Sequence, residues 1–191
     1  MIRIAHHDSY AHPLPKGHRF PMLKYELLPQ QLVHEGTCQP EQFFAPTRIA
    51  DEHILRTHCT EYFEQLNQLS LSKKDARRIG FPLSEELINR ECIIAQGTLD
   101  GCEYALNNGI AFNIAGGTHH AFYAHGEAFC LLNDQAIAAN YLLDTKKASQ
   151  ILIIDLDVHQ GNGTAALFRN NSKVFTFSMH GKGNYPFQKE I

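Results

Sequence analysis

The sequence has no run approaching ~18 apolar residues, and its opening stretch "MIRIAHHDSY" carries no apolar signal core, so neither a membrane span nor an export leader is expected. It has no internal repeat and no low-complexity linker, which leaves no sign of a tethered array. Its five cysteines (Cys38, Cys59, Cys92, Cys102, Cys130) are odd in number and show no CxxC spacing. That pattern fits reduced, mostly buried thiols and predicts a cytoplasmic chain. Basic clusters are scarce: the net charge is −3, and the one basic stretch, "SKKDARR" at residues 72–78, reads as a solvated helix face. Nucleic acid and membrane surfaces are therefore not expected partners. What is present is a chain of 191 residues, 43% hydrophobic, enough for one domain with a real core.

Along the chain, "IRIAHH" reads as a short strand and residues 12–22 as a Pro/Gly-rich loop. "LKYELLPQQLVHEG" has helical periodicity, with a break expected at Pro29 and a stop at Gly36. "FFAPTRIA" reads as extended. Asp51 is expected to cap one helix that carries Ile54, Leu55, Tyr62, Phe63 and Leu66 at helical spacing. Ser84, ahead of Glu85 and Glu86, starts a long helix ending near Asn107 and closed by Gly109. Beyond that point strand and helix alternate: "GIAFNIAGG" (strand), "NDQAIAANYLLD" (helix), "SQILIIDLD" (strand), "GTAALFRN" (helix), "KVFTFSM" (strand). The strands are almost continuously apolar, which predicts a mostly parallel sheet with helices on both faces, a three-layer α/β/α arrangement. Ligands of such sheets bind beyond the carboxyl ends of the strands. Here three strand ends run into "AGGTHH", "DLDVHQGNG" and "SMHGKGN", which should converge on one crevice.

Twelve histidines invite a look at their placement. His18, His34, His53 and His58 stand alone and read as surface or satisfied core residues. In "IDLDVHQGNG", residues 154–163, alternation along a strand would place Asp155, Asp157 and His159 on one face, with Leu156 and Val158 in the core. Two carboxylates and an imidazole there suit a divalent cation such as zinc, and Gly161 and Gly163 would let the backbone turn into the next helix. An Asp-rich turn with one exposed His is the plainer alternative. In "GGTHH", Gly116 and Gly117 permit close backbone approach. His119 and His120 need a turn to enter one pocket, where an imidazole tuned near neutrality would serve as acid–base.

"GGTHHAFYAHGEAFCLLND", "LIIDLDVHQGNGTAALF" and "VFTFSMHGKGNYPF" together resemble the histone deacetylase family; the early "HPLPKGHRFPMLKYELL" and the form "DLDVHQGNG" resemble most its class IV branch and bacterial relatives. The resemblance implies the arginase/deacetylase fold and roles residue by residue. Asp157 and His159 match two of three ligands of a catalytic zinc. His120 matches the acid–base histidine, and His119 the second histidine, which Asp155 hydrogen-bonds. Asp155, Ser178 and the Met179 carbonyl match potassium contacts. The carbonyls of Phe168 and Val174, with Asn171, match a second monovalent site. Phe129, Tyr185 and Gly117 match the acyl-lysine tunnel. The implied reaction is metal-assisted hydrolysis of an acylated lysine, acylated polyamine or other small amide, the substrate being set by entrance loops.

Asn162 stands where many members place an Asp behind the acid–base histidine, so a less basic His120 is expected. The third zinc ligand and the carbonyl-polarising tyrosine of the family have no counterpart in these 191 residues. The chain is therefore expected to be the N-terminal part, residues 1–191, of a single truncated catalytic domain. Alone it should be marginal or inactive, with an unpaired apolar sheet edge. Two other readings are a non-catalytic acyl-lysine-binding or assembly protein on the same fold, and an arginase-like hydrolase with two manganese ions. The latter wants a carboxylate at position 161, which is Gly.

Overall fold

A computed structural model describes residues 2–191. Five strands, β1 (Arg3–Ala5), β2 (Phe43–Phe44), β3 (Ala111–Asn113), β4 (Ile151–Asp155) and β5 (Val174–Ser178), form two separate sheets, ordered β2-β1-β3 and β4-β5. Every pairing is parallel, with Ile4 opposite both Phe43 and Phe112, and Asp155 opposite Ser178. Parallel strands joined through helices fit the α/β class read from the sequence.

The helices are α1 (Lys24–His34), α2 (Asp51–Ile54), α3 (Thr60–Asn67), α4 (Lys73–Ile79), α5 (Glu85–Asn108), α6 (Asp134–Asp144) and α7 (Asn162–Phe168). The long helix α5 is the organising element. Ser84 caps it by accepting from the Leu87 N–H, and Gly109 (φ +93°) ends it. Gly97 lets α5 lie close on the first sheet: a Cβ there would sit 2.6 Å from the Tyr10 hydroxyl and 3.1 Å from Ala5 Cβ. The main core gathers around α5, with Ile54, Tyr62, Phe63, Leu66, Ile79, Leu87, Leu131 and Ile137 all buried.

Three local expectations change. Pro29 lies inside α1 rather than breaking it, and the helix runs on to His34 before Gly36 takes φ +70°. The helix expected after Asp51 is two helices, α2 and α3, parted at residues 55–59; Ala50 is the cap, and Asp51 instead pairs with Arg48 at 2.6 Å. Finally, the second sheet is covered on one face only. Ile153 and Val174 are buried against Ala136, Ala139 and Phe168, while Leu152, Ile154, Phe175 and Phe177 are exposed. No helix among the described residues is long and apolar enough to cross a membrane.

Candidate metal-dependent hydrolase site

The segment after β3 is wound into a tight loop by Gly117, at φ +90°, a conformation that favours glycine. Asp134, at the start of α6, holds that loop from behind. Its buried carboxylate accepts from the N–H groups of Gly117 (3.0 Å) and Thr118 (2.8 Å) and from the hydroxyls of Thr118 (2.6 Å) and Thr98 (2.5 Å). The cap of the same helix, Asn133, donates to the Ala121 carbonyl and to the Thr164 hydroxyl. The turn at residues 118–121 brings His119 and His120 onto one side, ring centroids 4.1 Å apart. Both are buried.

"DLDVHQGNG" supplies the facing groups, but not as a strand face. Strand β4 stops at Asp155, and two successive aspartate turns follow: Asp155 Oδ1 accepts from the Asp157 N–H (3.0 Å) and Asp157 Oδ1 from the His159 N–H (2.7 Å). The alternation therefore fails here: Leu156 and Val158, expected in the core, are 67% and 52% exposed. The turns still separate the acids by role. Asp155 faces His119, whose Nδ1 lies 2.6 Å from Asp155 Oδ2. Asp157 faces His159, with Oδ1 and Nδ1 2.9 Å apart, both half-exposed.

Gly161 and Gly163 act through space rather than through turning, since neither takes a positive φ. A Cβ on Gly161 would collide with the Asp155 carboxylate, and one on Gly163 with the Ala121 carbonyl. Their bareness lets α7 seat its first residue, Asn162, with Oδ1 2.6 Å from His120 Nδ1. His120 is pushed down to about 4, by burial first and neighbouring His119 second, while the Asn162 bond opposes this. Burial thus sets this imidazole below the near-neutral range expected of an acid–base histidine, and the Asn162 bond works against that fall. For Asp155, burial pushes upward, but the hydrogen bond and charge of His119 and the Asp157 N–H outweigh it, leaving the carboxyl below its ordinary range.

Tyr185 stands edge-on to His120 at 5.1 Å and lies 6.5 Å from His159. Phe129 packs among Phe20, Phe81 and the Arg19 guanidinium. A cavity of about 350 Å³ between β5 and α7 is lined by Asp155, Phe168, Asn171, Val174 and Ser178, five of the six residues matched to monovalent cations. Met179 is largely exposed, its N–H bonded to the Asp155 carbonyl. Among the isolated histidines, His58 is a satisfied core residue, with Nδ1 2.8 Å from the Phe122 carbonyl and Nε2 accepting from the Asn133 N–H.

Asp157 and His159 offer one carboxylate oxygen and one imidazole nitrogen, a donor set that suits zinc. Among the described residues no three His, Cys, Asp or Glu side chains cluster as a complete metal cage. Sequence reasoning assigned no role to Asp134 or Glu127. Asp134 looked like part of a helix start, and Glu127 sat unremarked in "HGEAFC". Only the fold carries either into the site.

The model of the histone deacetylase domain matches residues 18–191. A protein of Picosynechococcus described as uncharacterized is 43% identical over 187 residues, covering 98% of this chain and 62% of that one. The histone deacetylase clr6 of Schizosaccharomyces pombe is 31% identical over 94% of this chain and 45% of its own length. The acetoin utilization protein AcuC of Staphylococcus aureus is 29% identical over 89% of this chain and 46% of its own. The chain thus spans roughly half the length of these relatives. The crystal structure of a deacetylase (HDAC) homolog from Aquifex aeolicus superposes with a TM-score of 0.85 at 25% identity, over 98% of this chain and 54% of that one. An HDAC homolog solved in complex with SAHA superposes equally well, at 26% identity. With its paired histidines, its aspartate turns and a domain model that matches nearly its whole length, this chain belongs to the histone deacetylase family.

Proposed function

We propose that these residues form the N-terminal part of a single catalytic domain, a zinc-dependent amidohydrolase that removes acetyl or acyl groups from lysine-type amines in the cytoplasm. One observation carries this reading: two buried imidazoles lie side by side, each tied through Nδ1 to a different acceptor, with the Asp157–His159 pair facing them. The lengths of the relatives and the two-donor metal limb support placing the remaining ligand outside the described residues.

Asp157 and His159 would hold the zinc, which when bound polarises a carbonyl and lowers the pKa of its water toward ~7. His120, kept neutral by burial, takes the proton of the attacking water at Nε2 and returns it to the departing amine. His119, backed by the Asp155 carboxylate, lends electrostatic stabilisation to the developing negative charge. Tyr185 and Phe129 exclude water from an aliphatic chain in the tunnel that Gly117 borders. Asp155, Ser178 and Met179 hold a structural potassium in this reading, and the substrate is an acylated lysine or acylated polyamine.

The test is hydrolysis of a fluorogenic acetyl-lysine peptide and of an acetylated polyamine by the chain and by a form extended to the length of its relatives. Turnover by the extended form, blocked by SAHA, is expected. Binding of the peptide without any turnover would overturn the hydrolase and leave an acyl-lysine-binding module.

A further inference from the structure

The acid–base histidine leans on an amide, and an amide can present either end. Asn162 offers Oδ1 to His120 Nδ1 at 2.6 Å and points Nδ2 the other way, where it donates to Glu127 Oε1 at 2.7 Å. The Tyr185 hydroxyl donates to that same oxygen at 2.7 Å. The other carboxylate oxygen, Oε2, has His125 Nε2 4.0 Å away. Glu127 is mostly buried, and Asn162 fully so.

The backbone that follows Glu127 is strained. Ala128 and Phe129 both take positive φ (48° and 68°), a left-handed pair without glycine, pinned by N–H bonds to the carbonyls of Arg78 and Ile79 at the end of α4. Gly126 is squeezed so closely that a Cβ would strike the Cys130 carbonyl.

Hydrogen-bond logic then runs one way. A carboxylate has no proton to give, so both of its neighbours must donate. That fixes Nδ2 of Asn162 toward Glu127 and Oδ1 toward His120. An oxygen facing Nδ1 requires that Nδ1 carry the hydrogen, which leaves Nε2 as the lone-pair nitrogen. A carboxylate at position 162 would impose the same tautomer directly, but an asparagine cannot impose it unaided. We propose that Glu127 is a positioning residue: it orients the Asn162 amide and so holds His120 as the Nδ1–H tautomer, while aiming the Tyr185 hydroxyl away from the reacting atoms. This inference rests on the acid–base role given to His120 above only for its catalytic meaning; the coupling itself is a property of the chain.

The test reads the His120 tautomer by long-range ¹H–¹⁵N correlation on the ¹⁵N-labelled 191-residue chain at neutral pH, without metal or substrate. Wild type is expected to show Nδ1–H only. Glu127→Met frees the amide to flip and should raise the ratio of Nε2–H to Nδ1–H by about tenfold or more. Adding Asn162→Asp to that variant should restore Nδ1–H, because an aspartate there can only accept. A packing role for Glu127 would not be rescued this way. If Glu127→Met does not fold, Glu127→Gln replaces it, with a smaller shift in the same direction expected. A folded variant at position 127 whose His120 stays wholly Nδ1–H, or a shift that Asn162→Asp leaves in place, overturns the proposal. In the extended form, Glu127→Met should lower kcat with KM little changed. An extended form with no hydrolase activity but with the tautomer coupled to Glu127 would sink the deacylase reading and leave this one standing.

Discussion

The limb that carries His119 and His120 and the limb that carries Asp157 and His159 meet at one point, yet they are built differently. The histidine limb is closed. Its loop is tied by Asp134 and Asn133, its imidazoles are buried, and its acceptors, Asp155 and Asn162, are in place. The limb of Asp157 and His159 is open. Asp157 and His159 are half-exposed and are shaped chiefly by their own aspartate turns, and the neighbouring Leu156 and Val158 face outward. A proton-transfer site needs fixed tautomers and low polarity, which local packing can supply. A metal cage needs several donors converging from different elements, and among the described residues no three His, Cys, Asp or Glu side chains converge.

Experiments that strike the two limbs separately should show the difference. The largest effect is expected from His120→Ala in the extended form. Loss of an acid–base group should cut kcat for acyl-lysine hydrolysis by about 10²–10⁴-fold, with zinc content unchanged because that imidazole belongs to the closed limb.

Acid should act next, through the core histidine His58, whose Nε2 accepts from the Asn133 N–H behind the closed limb. His58 is held down at about 4 by burial, against an ordinary 6.5, so its stabilising contribution is complete above pH 6.5 and is lost as pH falls toward 4. The shift corresponds to up to about 3 kcal/mol from this residue. Urea unfolding of the chain at neutral pH and at about pH 5 should show the decline, with a shallower slope for His58→Gln; equal midpoints at the two pH values would contradict the buried, neutral assignment.

Gly163→Ala places a methyl group against the backbone of His120 and Ala121, and should cost about 2 kcal/mol in the same urea assay. Gly183→Ala, where nothing lies within 4 Å, is the control and should change stability by less than about 0.5 kcal/mol. The smallest effect is expected on the open limb. Leu156→Ser removes a side chain that is 67% exposed and should stay within about 0.5 kcal/mol of wild type. A loss of about 2 kcal/mol would mean that this limb is packed after all.

Much of this was legible in residue order. The long helix announced itself through Ser84, the two glutamates and Gly109. The β4–α7–β5 unit announced itself through apolar runs closed by polar ends. Asp155, Asn162 and the histidine pair come together where the motifs suggested. Three things were hidden for physical reasons. Alternation along "DLDVH" presumes extended backbone, and aspartate side chains that bond their own backbone two residues on abolish it. The roles of Gly161 and Gly163 depend on what lies opposite them, which no local pattern records. Asp134, at the head of α6, holds the Gly117–Thr118 backbone, and Glu127 holds the Asn162 amide, contacts that no local pattern records.

The central claim is that Asp157 and His159 are part of a zinc site facing His120. Zinc affinity and stoichiometry by titration calorimetry, on the extended form with and without His159→Ala, test it most directly. About one tight zinc per chain, lost or weakened at least about 100-fold by His159→Ala, is the result the account requires. An extended form that binds no zinc, or binds it equally well without His159, would contradict it.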